Sequence, residues 1–342
     1  MPTTPVRWGV LSTAAINGSL IPGLLAAQGC QLVGIASRSP ERARQAALRW
    51  GCGSYSSYEA LLEDKTLDAV YIPLPNHLHA EWTIRALEAG KHVRCEKPLA
   101  LSVDEVDLIA EAASRSGHFV LEAFMYRHAP RWRRAVELVR DGAVGDPRLV
   151  KAVLAFPIPS DGDNVRFMPE AGGGVIWDLG CYVTNMARGL LGQEPTEVFA
   201  CGEVRPGQPT ETSVSGVMSF PEGRTASFAA SFDYGNPFAP VEIVGTEGWL
   251  ALPGTGFRRE PFTKLLVHRG EVYVDGREPT VEVFPFDDPY AGEVEHLSAA
   301  IRGEQPLAWD LGDARSNTAA LEAMHASLRC RAPVVVPARV GG

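Results

Sequence analysis

The chain has 342 residues, a formal net charge of -9, 45% hydrophobic residues and 21% charged residues. This length allows two cores, because single cores stop growing near roughly 250–300 residues, and the composition excludes a disordered chain. The acidic total argues against a nucleic-acid partner, and no segment reaches the ~18 consecutive apolar residues of a membrane span.

Residues 6–11 and 32–36 read as the first two strands. Ser39 caps and Pro40 opens a helix that runs to Trp50 and stops at Gly51. Residues 69–72 form a buried strand, followed by a helix ending at Gly90 and a strand at 92–95. Ser102 and Glu105 make a capping box for a helix that closes at Gly117, and residues 119–123 give one more strand. Strands alternating with helices in this way describe a doubly wound nucleotide-binding domain. A helix at 130–140 opens the second part, and the basic run from Arg127 to Arg134 at its start is expected to be a solvated face.

Beyond it come a strand at 149–156, a glycine cluster at Gly172–Gly174 and a helix at 175–191. Strands then follow one another at 212–220, 225–232, 241–244, 264–268, 271–274 and 281–284, separated by turn residues such as those of 221–223 and 275–276. Consecutive strands with short turns imply an antiparallel or mixed sheet. Helices at 292–302 and 313–328 close the chain. The expected architecture is α/β plus α+β: a Rossmann domain with a doubly wound parallel sheet over 1–125, then an α+β domain over 126–342 with a large, mostly antiparallel open sheet.

Six cysteines (Cys30, Cys52, Cys95, Cys181, Cys201, Cys330) stand singly with no C-x-x-C pair, the pattern of reduced, mostly buried thiols and not of disulfides or zinc. Met1 to Arg7 lacks the basic and apolar regions of an export signal, so a cytoplasmic location is expected.

A dinucleotide site shows G-x-G-x-x-G between the first strand and its helix. Here the three positions are Ser12, Ala14 and Asn17, none of them glycine. Small side chains still let backbone N–H groups approach a pyrophosphate, which makes Ser12, Thr13, Ala14, Ala15 and Ile16 the candidate phosphate contacts. The second strand ends at Ser37-Arg38, with no carboxylate until Glu41. A hydroxyl and a planar cation suit a 2′-phosphate, which favours NADP over NAD.

Two further turns meet the same edge of the sheet: Pro73-Leu74-Pro75-Asn76-His77-Leu78-His79, and Glu96-Lys97-Pro98. With Gly172-Gly173-Gly174-Val175-Ile176-Trp177-Asp178-Leu179-Gly180-Cys181-Tyr182 in the second domain, the sequence resembles the Gfo/Idh/MocA oxidoreductase family over nearly its whole length. Tyrosine at 182, Glu122 to Arg127 and the opening Arg7 to Ala14 look like the subgroup of glucose–fructose oxidoreductase, dimeric dihydrodiol dehydrogenase and NADP-dependent D-xylose dehydrogenase. Ser12 and Ala14 replace glycines in that subgroup, so the altered fingerprint is a subgroup trait.

Oxidising an alcohol requires a proton acceptor at the hydroxyl as hydride leaves, and burial beside a cationic ring can lower a lysine's pKa for that task. The resemblance implies that Lys97 is this residue, in a cis Lys97–Pro98 turn, and that Tyr182 assists it. Asp178 and Tyr182 lie four apart and share a helical face, with Asn185 one turn further on. Asp178, Asn185 and Arg166 are the candidate substrate contacts, and Pro73, Leu74, Asn76 and His79 join the cofactor contacts. Glu96 either fixes its turn or touches the cofactor. Trp177 and Trp309 are expected to be packing residues. His77 and His79 lack a third ligand at suitable spacing, so no metal is expected.

The expected activity is hydride transfer between NADP and a secondary or anomeric alcohol of a sugar or diol. A keto-sugar reductase, including one for nucleotide-linked sugars, uses the same residues in reverse. A non-catalytic NADP sensor needs neither Lys97 nor Tyr182. The resemblance also implies a homodimer or homotetramer assembled through the second domain's sheet.

Overall fold

A computed structural model describes residues 4–159, 164–234, 237–254, 260–270 and 278–338. The chain divides into two compact units, Met1–His128 with Asp288–Arg315, and Ala129–Asp287 with Ser316–Gly342. Where the sequence suggested one boundary at 125/126, the units interleave.

The first unit holds β1 (Val6–Leu11), α1 (Asn17–Ala26), β2 (Cys30–Ala36), α2 (Pro40–Trp50), β3 (Gly53–Tyr55), α3 (Tyr58–Glu63) and β4 (Ala69–Ile72). It continues with α4 (His79–Glu88), β5 (His92–Glu96), α5 (Val103–Ser116) and β6 (Val120–Ala123). The strands pair in parallel in the order β3-β2-β1-β4-β5-β6, the Rossmann order. Period-two alternation feeds two cores. Val70 and Ile72 of β4 pack with Leu61, Leu87 and Ile109 on one face, while Ala69 and Tyr71 pack with Leu20, Ile21 and Leu24 on the other. That second face also takes Val294 and Leu297 of α8 (Pro289–Ile301), which explains why the late segment belongs to this unit.

Helix ends follow the sequence signals. Ser39 Oγ accepts from Arg42 N at 3.3 Å, Pro40 stands in the first turn and Gly51 closes α2 at φ 67°. Ser102 Oγ accepts from Glu105 N, and Glu105 reaches back to Leu101 N at 2.8 Å.

The second unit contains α6 (Pro130–Arg140), β7 (Pro147–Ala155), α7 (Cys181–Leu191), β8 (Glu197–Glu203), β9 (Ser213–Ser219), β10 (Thr225–Ser231) and β11 (Val241–Gly245). It also has β12 (Gly248–Leu252), β13 (Phe262–Arg269), β14 (Thr280–Pro285), the later part of α9 (Leu311–Cys330) and β15 (Val334–Val335). Its nine-stranded sheet has the order β14-β13-β12-β11-β7-β10-β9-β8-β15, antiparallel except for β7 with β10. One face is buried by residues such as Val150, Phe228, Met218 and Ile243. Phe199, Val217, Val281 and Val283 alternate onto the other and stay exposed.

The sequence reading missed β3, β8, β12 and β15, and its strand at 271–274 lies outside the described residues. β3 and β15 are too short to show a period, and β8 and β12 contain glycine. The expected solvated basic face needs correction. Arg127 and Arg131 are buried; Arg127 pairs with Asp313 at 2.7 Å, and Arg131 donates to the Pro253 carbonyl at 2.9 Å. Charge in a run does not report burial when partners from distant segments satisfy it. No described helix is long and apolar enough to cross a membrane.

Candidate active site

The turn after β1 takes the shape the fingerprint glycine would take. Ser12 sits at φ 131°, in the region that favours glycine. It is held there by four bonds: Ser12 N donates to Ala36 O at 2.9 Å, Asn17 Nδ2 to Ser12 O at 2.8 Å, Ala14 N to Ser12 Oγ at 3.0 Å, and Ser12 Oγ to Pro73 O at 3.3 Å. Among the described residues, the N–H groups of Thr13, Ala15 and Ile16 donate to no protein atom. Unpartnered amides at the N-terminus of the ten-residue α1 fit an anionic pyrophosphate.

At the end of β2, Ser37 is buried and its hydroxyl accepts from Ser39 N at 3.3 Å, while the Arg38 side chain is exposed. The Arg38 guanidinium approaches the Tyr58 hydroxyl, where its charge and hydrogen bond work against the rise that burial gives the Tyr58 pKa.

The turn after β5 is anchored on both sides of Lys97. Glu96 Oε1 accepts from the Tyr71 hydroxyl at 2.7 Å and lies 3.5 Å from Arg94 Nη1. The Lys97–Pro98 peptide is cis. Pro98 O meets His79 Nδ1 at 2.7 Å, and Leu99 N donates to Glu122 Oε1 at 2.9 Å. His79 is wholly buried, and its Nε2 meets Leu74 O at 2.7 Å. One imidazole therefore ties the turn after β4 to the turn after β5. Burial lowers the His79 pKa against the pull of those two carbonyls. Pro73 and Leu74 are buried, and Asn76 and Lys97 are half-buried.

In the second unit, the expected continuous helix over 175–191 begins instead with a π-helical turn, Ile176–Gly180, before α7. Such wide turns recur at functional sites, and this one changes the angular relation of Asp178 to Tyr182 from that of an α-helix. Gly174 enters it at φ 113°, and Glu211 caps it by accepting from Ile176 N at 3.1 Å. Asp178 and Arg166 are brought together, Nε to Oδ2 at 2.7 Å. Tyr182 is buried in α7. Asn185 is 1% exposed, and its amide donates to Asn317 of α9 at 3.4 Å, a tie between helices.

Tyr71, Arg94 and Glu211 escaped the sequence reading, and Glu122 entered it only as a mark of the subgroup, without its bond to Leu99 N. A signal existed for Glu122, a charge inside an otherwise apolar strand. Trp177 packs against His325 and Trp309 against His128, at ring separations of 4.7 and 5.1 Å. All six cysteines are free. Among the described residues, no three His, Cys, Asp or Glu side chains gather as a metal-binding group.

Residues 6–124 match the family model described as "Oxidoreductase family, NAD-binding Rossmann fold", and residues 132–251 match that of the GFO/IDH/MocA C-terminal domain. The chain is 39% identical to an uncharacterized oxidoreductase of Rhizobium meliloti over 315 residues, 90% of this chain and 93% of that protein. It is 38% identical to a D-xylose 1-dehydrogenase (NADP(+)) of Haloferax volcanii over 304 residues, 88% of this chain and 91% of that protein. The crystal structure of KijD10, a 3-ketoreductase from Actinomadura kijaniata in complex with NADP and TDP-benzene, superposes with a TM-score of 0.86 at 29% identity, covering 95% of this chain and 98% of that one. A Rossmann sheet with an anchored Glu96-Lys97-Pro98 turn, joined to a second domain of this kind and matched along most of its length, makes the chain a member of the Gfo/Idh/MocA family of oxidoreductases.

Proposed function

We propose that this chain is an NADP-dependent dehydrogenase acting on a CH–OH group of a sugar or diol, with Lys97 as its proton-transfer residue. The observation that carries this reading is the turn at the end of β5, which holds a half-buried lysine between anchored neighbours on the strand edge that also presents the unpartnered amides of Thr13, Ala15 and Ile16. When bound, NADP supplies the hydride acceptor, or in reduced form the donor. Lys97 Nζ takes the hydroxyl proton during oxidation and returns it during reduction. The resemblance implies that Tyr182 assists, and the Asp178–Arg166 pair offers an acceptor and donors to the hydroxyls of a polyol. The amides of the β1 turn and the Arg38 guanidinium bind the phosphates. The D-xylose dehydrogenase relative, named for NADP, supports both cofactor and substrate class.

Reduction of a keto-sugar is the second reading, favoured by the likeness to the NADP-bound 3-ketoreductase. A sensor role fits less well, because a sensor needs neither Lys97 nor Tyr182. The open sheet face with Phe199, Val217, Val281 and Val283 supports a homo-oligomer in the cytoplasm, and the six free cysteines fit that compartment.

Purified protein is mixed with NADP and D-xylose, other aldoses or trans-1,2-dihydrobenzene-1,2-diol, and with NADPH and 1,5-anhydro-D-fructose or TDP-linked keto-sugars, while reduced cofactor is followed by absorbance. Turnover that Lys97→Met abolishes without loss of NADP binding supports the proposal. Full activity of Lys97→Met removes Lys97 from the mechanism, and no turnover with any member of the panel favours the sensor.

A further inference from the structure

The strand that ends at Lys97 also carries a wholly buried arginine. Arg94 is 0% exposed, and its Nε donates to Glu293 Oε2 at 2.8 Å while Nη2 bonds the same oxygen. Glu293, also 0% exposed, comes from α8, 199 residues away. The Arg94 guanidinium lies over the Tyr71 ring at 4.5 Å and directs Nη1 to Glu96 Oε1 at 3.5 Å. That same oxygen accepts from the Tyr71 hydroxyl at 2.7 Å. The carboxylate immediately before Lys97 is thus held by two groups, one of which takes its own orientation from Glu293.

Stability does not account for this arrangement. Desolvating two charges offsets their attraction, and an apolar pair of similar volume is often as stable or more so. Geometry does account for it. A planar guanidinium bonded along one edge to Glu293 and stacked on Tyr71 has little freedom, so its remaining nitrogen points in one direction. Loss of Glu293 would leave a buried cation with Glu96 as its nearest carboxylate, drawing the turn inward.

We propose that Glu293 is a positioning residue for proton transfer at Lys97: it orients Arg94, and Arg94 with Tyr71 holds Glu96 and so the Glu96-Lys97-Pro98 turn. This rests on Lys97 being the proton-transfer residue. A segment distant in sequence thereby acts on the reaction without touching the reacting atoms.

The test compares Glu293→Gln, Tyr71→Phe, the double variant Arg94→Met/Glu293→Leu and Lys97→Met as full-length proteins. D-xylose with NADP is the probe pair, or 1,5-anhydro-D-fructose with NADPH where D-xylose gives no turnover. Glu293→Gln and Tyr71→Phe are each expected to lower kcat by about tenfold with KM for the cofactor within about twofold, since a misplacement near 1 Å costs up to roughly a hundredfold. Tyr71→Phe removes one hydroxyl only, so it carries the test even if Glu293→Gln folds poorly. The double variant is expected to melt near the parent yet remain slow. Unchanged kcat in Tyr71→Phe or in folded Glu293→Gln, or full recovery of kcat in the double variant, overturns the proposal. An active Lys97→Met variant instead refutes the reading on which the proposal rests.

Discussion

Gly174→Ala tests how the second unit shapes the turn that carries Asp178. Gly174 has φ 113°, where any other residue is strained, and that strain costs on the order of 1–3 kcal/mol. An added Cβ would overlap Glu211 Oε1 and lie 2.8 Å from the Glu211 carboxyl carbon. Glu211 would have to move, and its bond to Ile176 N at 3.1 Å would be lost, at roughly 1–3 kcal/mol for a buried group left without its partner. Together these give about 2–6 kcal/mol. For a unit of this size that corresponds to a drop in thermal midpoint of about 4–24 °C. Because Asp178 N bonds Gly174 O at 3.2 Å, the Asp178–Arg166 pair should shift too and KM for the sugar should rise. Thermal unfolding followed by circular dichroism, with KM measured below the transition, reads both effects. Adding Glu211→Ala should remove the overlap but not the backbone strain, so the double variant should recover only part of the loss. A Gly174→Ala protein melting within about 1 °C of the parent, a change near the error of single-site shifts, with unaltered KM, would refute the reasoning.

Arg38→Ala should raise KM for NADP by roughly ten- to a hundredfold, the value of a charge-assisted bond of about 1.5–3 kcal/mol, and leave KM for NAD nearly unchanged; equal losses for both cofactors would contradict the 2′-phosphate assignment. Arg166→Ala should raise KM for the sugar while kcat changes less, and steady-state kinetics showing a pure kcat defect would remove Arg166 from substrate binding. The His92 and His325 pKa values are pushed down to about 4 by burial, with the positive charges of His118 and Arg329 adding to the effect. In the unfolded chain both return to about 6.5, so between these values the unfolded state binds more protons. Stability is therefore held above pH ~6.5 and lost as pH falls toward ~4. A thermal midpoint that does not decline across that window would show that these rings are already charged in the folded protein.

Elements with local signals were legible before the fold was known. The cap Ser39, Pro40 and the stop at Gly51 set the limits of α2, and the apolar run at Ala69–Ile72 marked β4, because caps and periods act within a few residues. The Glu96-Lys97-Pro98 turn, the Ser12 turn and the Asp178–Tyr182 segment were likewise visible as motifs. The π-helical turn was not, since it depends on Glu211 reaching Ile176 N from another segment. The burial of Arg127 and Arg131 was also hidden, because it depends on Asp313 and the Pro253 carbonyl, far away in sequence.

The sequence by itself therefore determined which side chains stand at the strand ends and which cofactor chemistry they suit. Tertiary structure alone decided what holds them: His79 joining two turns, Glu122 on Leu99, and Glu293 returning late in the chain to pair with Arg94. The physical reason is range. Hydrophobic period and capping are written in neighbouring residues, whereas a buried charge must find its partner wherever the fold brings one.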